Sequence, residues 1–201
     1  MIEETSEVLY LQDQKTFEKT IQYLQEDKVM VLPCDTIYGL CSKVGTGEKN
    51  LKALKPRELS KPFLVLATIE QAKELCDVPS DIAEVWPAPL TAVLNCKAGG
   101  TLAVRVPSDP FLQAIMTSLS SPIYSTSVNE TGHTSLTNIM DIILAYKDRV
   151  PAFVVDTDLQ GNIPSTLIDA TTYPYKILRE GKFDAQDIVN KSNNKKRQRI
   201  I

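Results

Sequence analysis

The chain has 201 residues, with 22 Lys+Arg against 25 Asp+Glu and a net charge of −3. Its length fits one domain with a sizeable core, and 43% hydrophobic and 23% charged residues are ordinary for a globular protein. Residues 190–201 hold five basic residues and no acidic one, so the remainder carries −8, which is unlike a broad nucleic-acid-binding surface. Along the chain, strand and helix signals alternate. Residues 7–11 predict a short strand, and 13–26 a helix with Phe17, Ile21 and Leu24 on one face. The apolar run 28–33 predicts a buried strand. Residues 34–46 read as loop around a short extended piece, and 47–54 as a short helix. Residues 63–67 (FLVLA) predict a central strand. Thr68 and Gln71 then form a capping-box signal for a helix to about Cys76. A second short helix over 80–86 ends at Pro87. Strands follow at 91–96 and 101–106, a candidate hairpin around Gly99-Gly100. Asp109-Pro110 opens another helix, with Asp as cap and Pro at the first helical position. Further strands are expected at 123–127, 152–156, 165–169 and 175–179, and a helix at about 137–147. The pattern predicts an α/β fold: a single domain over 1–189 with a twisted, mixed open sheet and flanking helices. Residues 190–201 are expected to form a basic, disordered tail.

Several kinds of chemistry are excluded. A single histidine, His133, rules out multi-histidine metal sites, and a Ser-His-Asp or Cys-His hydrolase would have to rely on it. It reads as a loop residue. The cysteines at 34, 41, 76 and 96 contain no C-x-x-C pair and read as reduced, half-buried thiols. No histidine or base near Cys34 in sequence would activate it as a nucleophile. The N-terminus lacks a signal-peptide charge pattern and no apolar run approaches the ~18 residues of a membrane span, so a cytoplasmic protein is expected. Neither the phosphate-binding G-x-x-x-x-G-K-[ST] nor a completed G-x-G-x-x-G occurs.

The polar loops at strand ends carry what remains. Lys55, Arg57 and Lys61 fall within seven residues, on a segment that Pro56 and Pro62 keep from being a continuous helix. Three cations there can neutralise a polyphosphate, or form a solvated charged loop. Ser125-Thr-Ser127-Val-Asn129 after an apolar strand can orient a ligand, or serve turn chemistry. Cys34-Asp-Thr36-Ile-Tyr38-Gly39 has the same two readings. Arg105 interrupts an apolar strand. It either points to solvent or pairs with a buried anion, for which a ligand carboxylate would serve. Arg179 poses the same question.

Seven segments in order, PCDTIYGL (33–40), KPRELSKP (55–62), WPAPLT (86–91), TLAVRVP (101–107), STSVNETG (125–132), IPSTLID (163–169) and ILREG (177–181), resemble the YrdC-like family of threonylcarbamoyl-adenylate synthases. The resemblance implies an open α/β fold with a concave, charged cavity. It also implies formation of L-threonylcarbamoyl-AMP from L-threonine, bicarbonate and ATP, with pyrophosphate released and Mg²⁺ assisting. The product would feed the transferase machinery that modifies adenosine 37 of tRNA; direct tRNA binding by this chain is left open. The family's Lys-x-Arg…Lys…Ser-x-Asn signature falls on Lys55, Arg57, Lys61, Ser127 and Asn129, which become the implied catalytic set. By the same resemblance, Arg57, Lys61, Thr101, Asn129, Thr137 and Arg179 would lie on the ATP side. Thr36, Arg105, Ser127 and Ser165 would hold threonine. The chain departs from many relatives at Pro56 and Val128, and from some at Leu66. It is also too short for the C-terminal domain of the longer relatives. Two other readings stay open: a non-catalytic nucleotide- or RNA-binding member, and a carbamoyl-adenylate-forming domain of the hydrogenase-maturation type.

Overall fold

In the computed structural model, residues 6–55, 62–129, 133–159 and 163–198 are described. Ten strands form one sheet: β1 (Glu7–Tyr10), β2 (Met30–Cys34), β3 (Ile37–Lys43), β4 (Leu64–Leu66), β5 (Leu90–Asn95), β6 (Thr101–Arg105), β7 (Ile123–Ser127), β8 (Ala152–Val155), β9 (Thr166–Asp169) and β10 (Lys176–Arg179). Their spatial order is β1-β8-β2-β3-β7-β4-β6-β5-β9-β10. Parallel pairs (β1–β8, β2–β8, β4–β6, β5–β9) stand beside antiparallel ones (β2–β3, β3–β7, β4–β7, β5–β6, β9–β10), so the sheet is mixed, as the sequence pattern predicts.

Among the described residues seven helices flank it: α1 (Gln14–Gln25), α2 (Glu48–Leu54), α3 (Ile69–Leu75), α4 (Ser80–Ala83), α5 (Pro110–Ser118), α6 (Ile139–Tyr146) and α7 (Gln186–Gln198). Two predicted starts hold in atomic detail. Thr68 Oγ1 accepts from the Gln71 amide while Gln71 Oε1 accepts from the Thr68 amide, closing the capping box of α3. Asp109 accepts from the Leu112 amide, with Pro110 as the first residue of α5. None of the helices is long and apolar enough to cross a membrane among the described residues.

Two expectations need correction. Residues 34–46 are not mainly loop: β3 is a full seven-residue strand, because hydrogen bonding to β2 on one side and β7 on the other satisfies its backbone. Nor is the segment after residue 190 without structure. α7 runs on to Gln198, anchored by Ser192, whose buried Oγ donates to the Val189 carbonyl and accepts from the Tyr175 amide.

The register decides where a ligand could sit. On one face, α1 and α5 pack over β1, β8 and β2 through Leu24, Met30, Leu32, Leu112, Ile115, Met116 and Val154. On the other, separate clusters bury Val65, Leu90, Ala92, Val104 and Ile168, and Val31, Leu40, Phe63 and Phe153. Strand pairing puts Gly39, Ser125, Ser127, Leu64, Ala103, Arg105, Thr91 and Leu167 on the same face as the α1/α5 cluster. Beyond the reach of α1 and α5, that face is open.

Candidate functional site

The open part of the sheet forms a cavity of about 280 Å³. Its wall takes Thr36 from the β2–β3 turn, Arg105 from the end of β6, Thr91 from β5 and Ser165 from just before β9. Ser125 and Ser127 come from β7, and Arg179 from β10. Four strands, one turn and the residue before β9 thus each deliver a polar group to one place.

Arg105 is only 2% exposed. Its Nη1 donates to Thr36 Oγ1 at 2.8 Å and its Nη2 to the Cys34 carbonyl at 3.0 Å. Its anion is Asp35, whose Oδ1 lies 3.3 Å from Nη2. The sequence offered solvent or a buried anion, and the second holds, with a partner from the chain itself. At the other side of the cavity, Arg179 donates to the Ser165 carbonyl at 2.8 Å, and Ser165 Oγ lies 2.7 Å from Thr91 Oγ1. Burial, reinforced by the charge of Arg105, pulls the Arg179 guanidinium below its ordinary pKa. With Asp35 paired to Arg105, the positive charge that the wall leaves uncompensated among the described residues is that of Arg179.

Lys55, at the end of α2, is 5% exposed. Its ammonium donates to the Ser127 carbonyl at 2.6 Å, to Ser127 Oγ at 3.2 Å and to Asn129 Oδ1. Ser127 Oγ donates to the same amide oxygen at 2.6 Å. Three members of the implied catalytic set therefore meet in one hydrogen-bonded group. Arg57 and Lys61 lie outside the described residues.

The remaining expected residues are more dispersed. Thr101 is exposed at the start of β6, on the same face as Ala103 and Arg105 but four residues down the strand, outside the cavity wall. Thr137 lines an adjoining hollow with Asn138, Asp156 and Thr157. Tyr38 borders both spaces, and its hydroxyl sits 3.1 Å from the Asp156 amide and carbonyl. His133 is exposed and its carbonyl accepts from Asn129 Nδ2. Its imidazole is not in the cavity wall.

Three contributors lie inside the segment 33–40 that the sequence singles out, without a role of their own there. Asp35 supplies the counter-charge of Arg105. Gly39 forms the floor: a Cβ there would stand 2.6 Å from Ser125 Oγ and 3.1 Å from Cys34 Sγ. Cys34 Sγ lies 3.7 Å from both Cys41 Sγ and Ser125 Oγ. The hydrogen bond with Cys41, with the charge of Arg105 behind it, draws the Cys34 thiol down against the opposing cost of burial. The same bond and burial push Cys41 up. Three of the four cysteines are fully buried rather than half-buried, and Cys96 alone is partly exposed.

The fold and cavity together define a class: a mixed α/β domain whose open sheet face brings two arginines and a ring of hydroxyls to one cavity, with a buried lysine hydrogen-bonded to Ser127 in its wall. The Sua5/YciO/YrdC family model, described as "Telomere recombination", matches residues 22–181, and the chain belongs to that family. A threonylcarbamoyl-AMP synthase of Pyrococcus abyssi is 26% identical over 183 residues, covering 83% of this chain and 54% of that protein. One from Pseudoalteromonas translucida is 27% identical over 180 residues, covering 80% of this chain and 96% of its own length. The chain therefore spans about half of the archaeal relative and nearly all of the bacterial one. The structure of P. abyssi Sua5 complexed with L-threonine superposes with a TM-score of 0.82 at 22% identity, covering 92% of this chain and 60% of that one. Escherichia coli YciO superposes at 0.80 and 21% identity, covering 90% and 98%. At these identities the superpositions establish the fold.

Proposed function

We propose that this protein forms L-threonylcarbamoyl-AMP from L-threonine, bicarbonate and ATP, for the threonylcarbamoyl modification of tRNA. One observation carries the reading. Thr36, Arg105, Ser127, Ser165 and Arg179, which the sequence resemblance implies for threonine and ATP, all border one cavity, and Lys55 and Asn129 are hydrogen-bonded to its Ser127. The relatives' names support the same chemistry.

In this reading threonine's carboxylate lies against Arg105, and Thr36, Thr91 and Ser165 hold its polar atoms. Bicarbonate loses hydroxide to give CO₂, the neutral amine adds to its carbon, and the N–H proton released combines with that hydroxide as water, leaving an N-carboxylate. One oxygen of that carboxylate attacks the α-phosphorus of ATP, and the bond to the β-phosphate bridging oxygen breaks as pyrophosphate leaves. Two anions must approach one another, so the chain's task is positioning and neutralisation rather than covalent catalysis. Lys55 sits where it can hold charge beside Ser127, and Arg179 where it can meet the phosphates. No group of three or more His, Cys, Asp or Glu residues that could hold a metal occurs among the described residues. Mg²⁺ bound with ATP would supply charge neutralisation at the phosphates.

The test is pyrophosphate release from ATP with each amino acid in turn, with and without bicarbonate. Release that needs both threonine and bicarbonate is expected. ATP binding without such release would support the non-catalytic reading instead. Preference for another amino acid would overturn the substrate assignment.

A further inference from the structure

Asp35 departs from ordinary backbone geometry for a reason visible around it. Its φ is +49°, in the left-handed region that residues with a side chain rarely adopt. The Thr36 amide bonds to the Cys34 carbonyl at 2.5 Å, closing a tight turn at this point. The turn brings three consecutive residues onto one guanidinium: the Cys34 carbonyl, the Asp35 carboxylate and the Thr36 hydroxyl all meet Arg105. The second carboxylate oxygen of Asp35 accepts from the Ser108 amide at 3.3 Å, tying the turn to the segment after β6. Arg105 and Asp35 side chains are 3% and 10% exposed, so little water screens the pair. The pair is nevertheless incompletely bonded. Arg105 Nε has no hydrogen-bond partner, and Asp35 Oδ1 meets Nη2 as an ion pair off the hydrogen-bonding direction. A buried donor left open on a residue that lines a cavity is costly unless something completes it.

We propose that Asp35 is a positioning and specificity-determining residue: it fixes the Arg105 guanidinium and cancels its charge, so that this end of the cavity selects a zwitterionic amino acid over simple anions. The inference rests on the reading of the cavity as an amino-acid site. A neutral Arg105–Asp35 pair gains little from an isolated anion, whose charge would be left in excess. A zwitterion adds no net charge, and its carboxylate supplies the acceptor that the guanidinium lacks. Arg179 has no carboxylate within ion-pair distance among the described residues. The two arginines thus divide the work: Arg105, neutralised, takes the amino acid, and Arg179, not neutralised, takes phosphate.

The experiment uses the full chain. Asp35→Asn is expected to raise the KM for threonine by about tenfold or more, with the KM for ATP within about twofold. Inorganic phosphate, which does not compete with threonine in the wild type, becomes a competitive inhibitor in the variant. Asp35→Glu restores part of the lost threonine affinity. The proposal is overturned if both KM values rise together, if phosphate inhibition is unchanged, or if Glu rescues nothing. Should Asp35→Asn fail to fold, the wild type still decides. Competition by phosphate against threonine at sub-millimolar concentration overturns charge cancellation, and its absence up to about 10 mM supports it. Failure of the proposed function is separately visible as absence of threonine-dependent pyrophosphate release. In that case thermal unfolding without ligand, for Asp35→Asn, Arg105→Met and the double variant, reads the pair directly. Non-additive losses support the coupling and additive ones overturn it.

Discussion

Lys55 shows how much one side chain can carry. It is buried, and its ammonium bonds oxygens of both Ser127 and Asn129, so it fixes the loop after β7 as well as supplying charge. Lys55→Met keeps most of the volume and removes the charge. Loss of about 10²–10³ in kcat/KM is expected, the usual cost of removing one donor to a developing charge. Pyrophosphate release measures it, and an unchanged far-UV spectrum separates it from unfolding. Gly39 argues differently. An added Cβ would stand 2.6 Å from Ser125 Oγ, a hydroxyl that can rotate away, but the space it rotates into is the cavity. Gly39→Ala should therefore leave the melting temperature nearly unchanged while weakening threonine binding by about tenfold. Calorimetric titration and a thermal scan together check both halves. The Lys55–Ser127–Asn129 grouping was legible only through the family resemblance, which names all three, because Lys55 and Ser127 lie 72 residues apart in the chain. Asp35 was not, because what matters is a left-handed turn that composition does not announce.

At the scale of elements, local signals were readable and cross-sheet ones were not. The cap of α3 and the Asp-Pro start of α5 depend on residues within one turn of each other. β3 was read only as a short extended piece because its partners β2 and β7 are decided by the sheet, and its own sequence contains Gly39 and polar Ser42. Another cross-element contact yields a prediction. Where α3 ends, Cys76 forms an antiparallel bridge with Cys96, just after β5. The bonds Asp77 N to Asn95 O and Lys97 N to Leu75 O flank it, both at 3.0 Å. This makes the cysteines a non-hydrogen-bonded pair, the closer kind across strands, and their sulfurs are 3.8 Å apart. Diamide is expected to convert the two thiols to a disulfide, its azo group taking up both hydrogens. Burial pushes the Cys76 thiol up to about 12, so little thiolate exists near neutrality and the reaction quickens as pH rises. Free thiols should fall from four to two. A loop of about 20 residues closed in this way adds about 3 kcal/mol, or roughly 6–12 °C in melting temperature. Peptide mapping that left Cys76 and Cys96 unlinked would contradict the geometry, and Cys96→Ser should abolish the shift.

For the whole molecule, the net charge divides into an acidic body and a basic end, and the structure changes how that end should be tested. Cutting at residue 190 would remove Ser192 and with it the partner of the buried Tyr175 amide, a loss of about 1–3 kcal/mol unrelated to charge. Ending the chain at Asn194 keeps that anchor and removes Lys195, Lys196, Arg197 and Arg199, which takes the net charge from −3 to −7. In the proposed function the cavity's own cations would act on ATP at contact distance, whereas the net charge would act on it from farther away. At low salt, where the Debye length is about 30 Å at 0.01 M, ATP approaching the shortened chain meets the more negative field. At 1 M the length is about 3 Å and the difference in approach vanishes. The shortened chain is therefore expected to have a kcat/KM for ATP about twofold or more below the full chain at 0.01 M salt, and equal to it at 1 M, with the same kcat throughout. A gap that persisted at high salt would mean that these residues touch the nucleotide or shape the fold. No gap at any salt would mean that the placed cations of the cavity govern encounter alone.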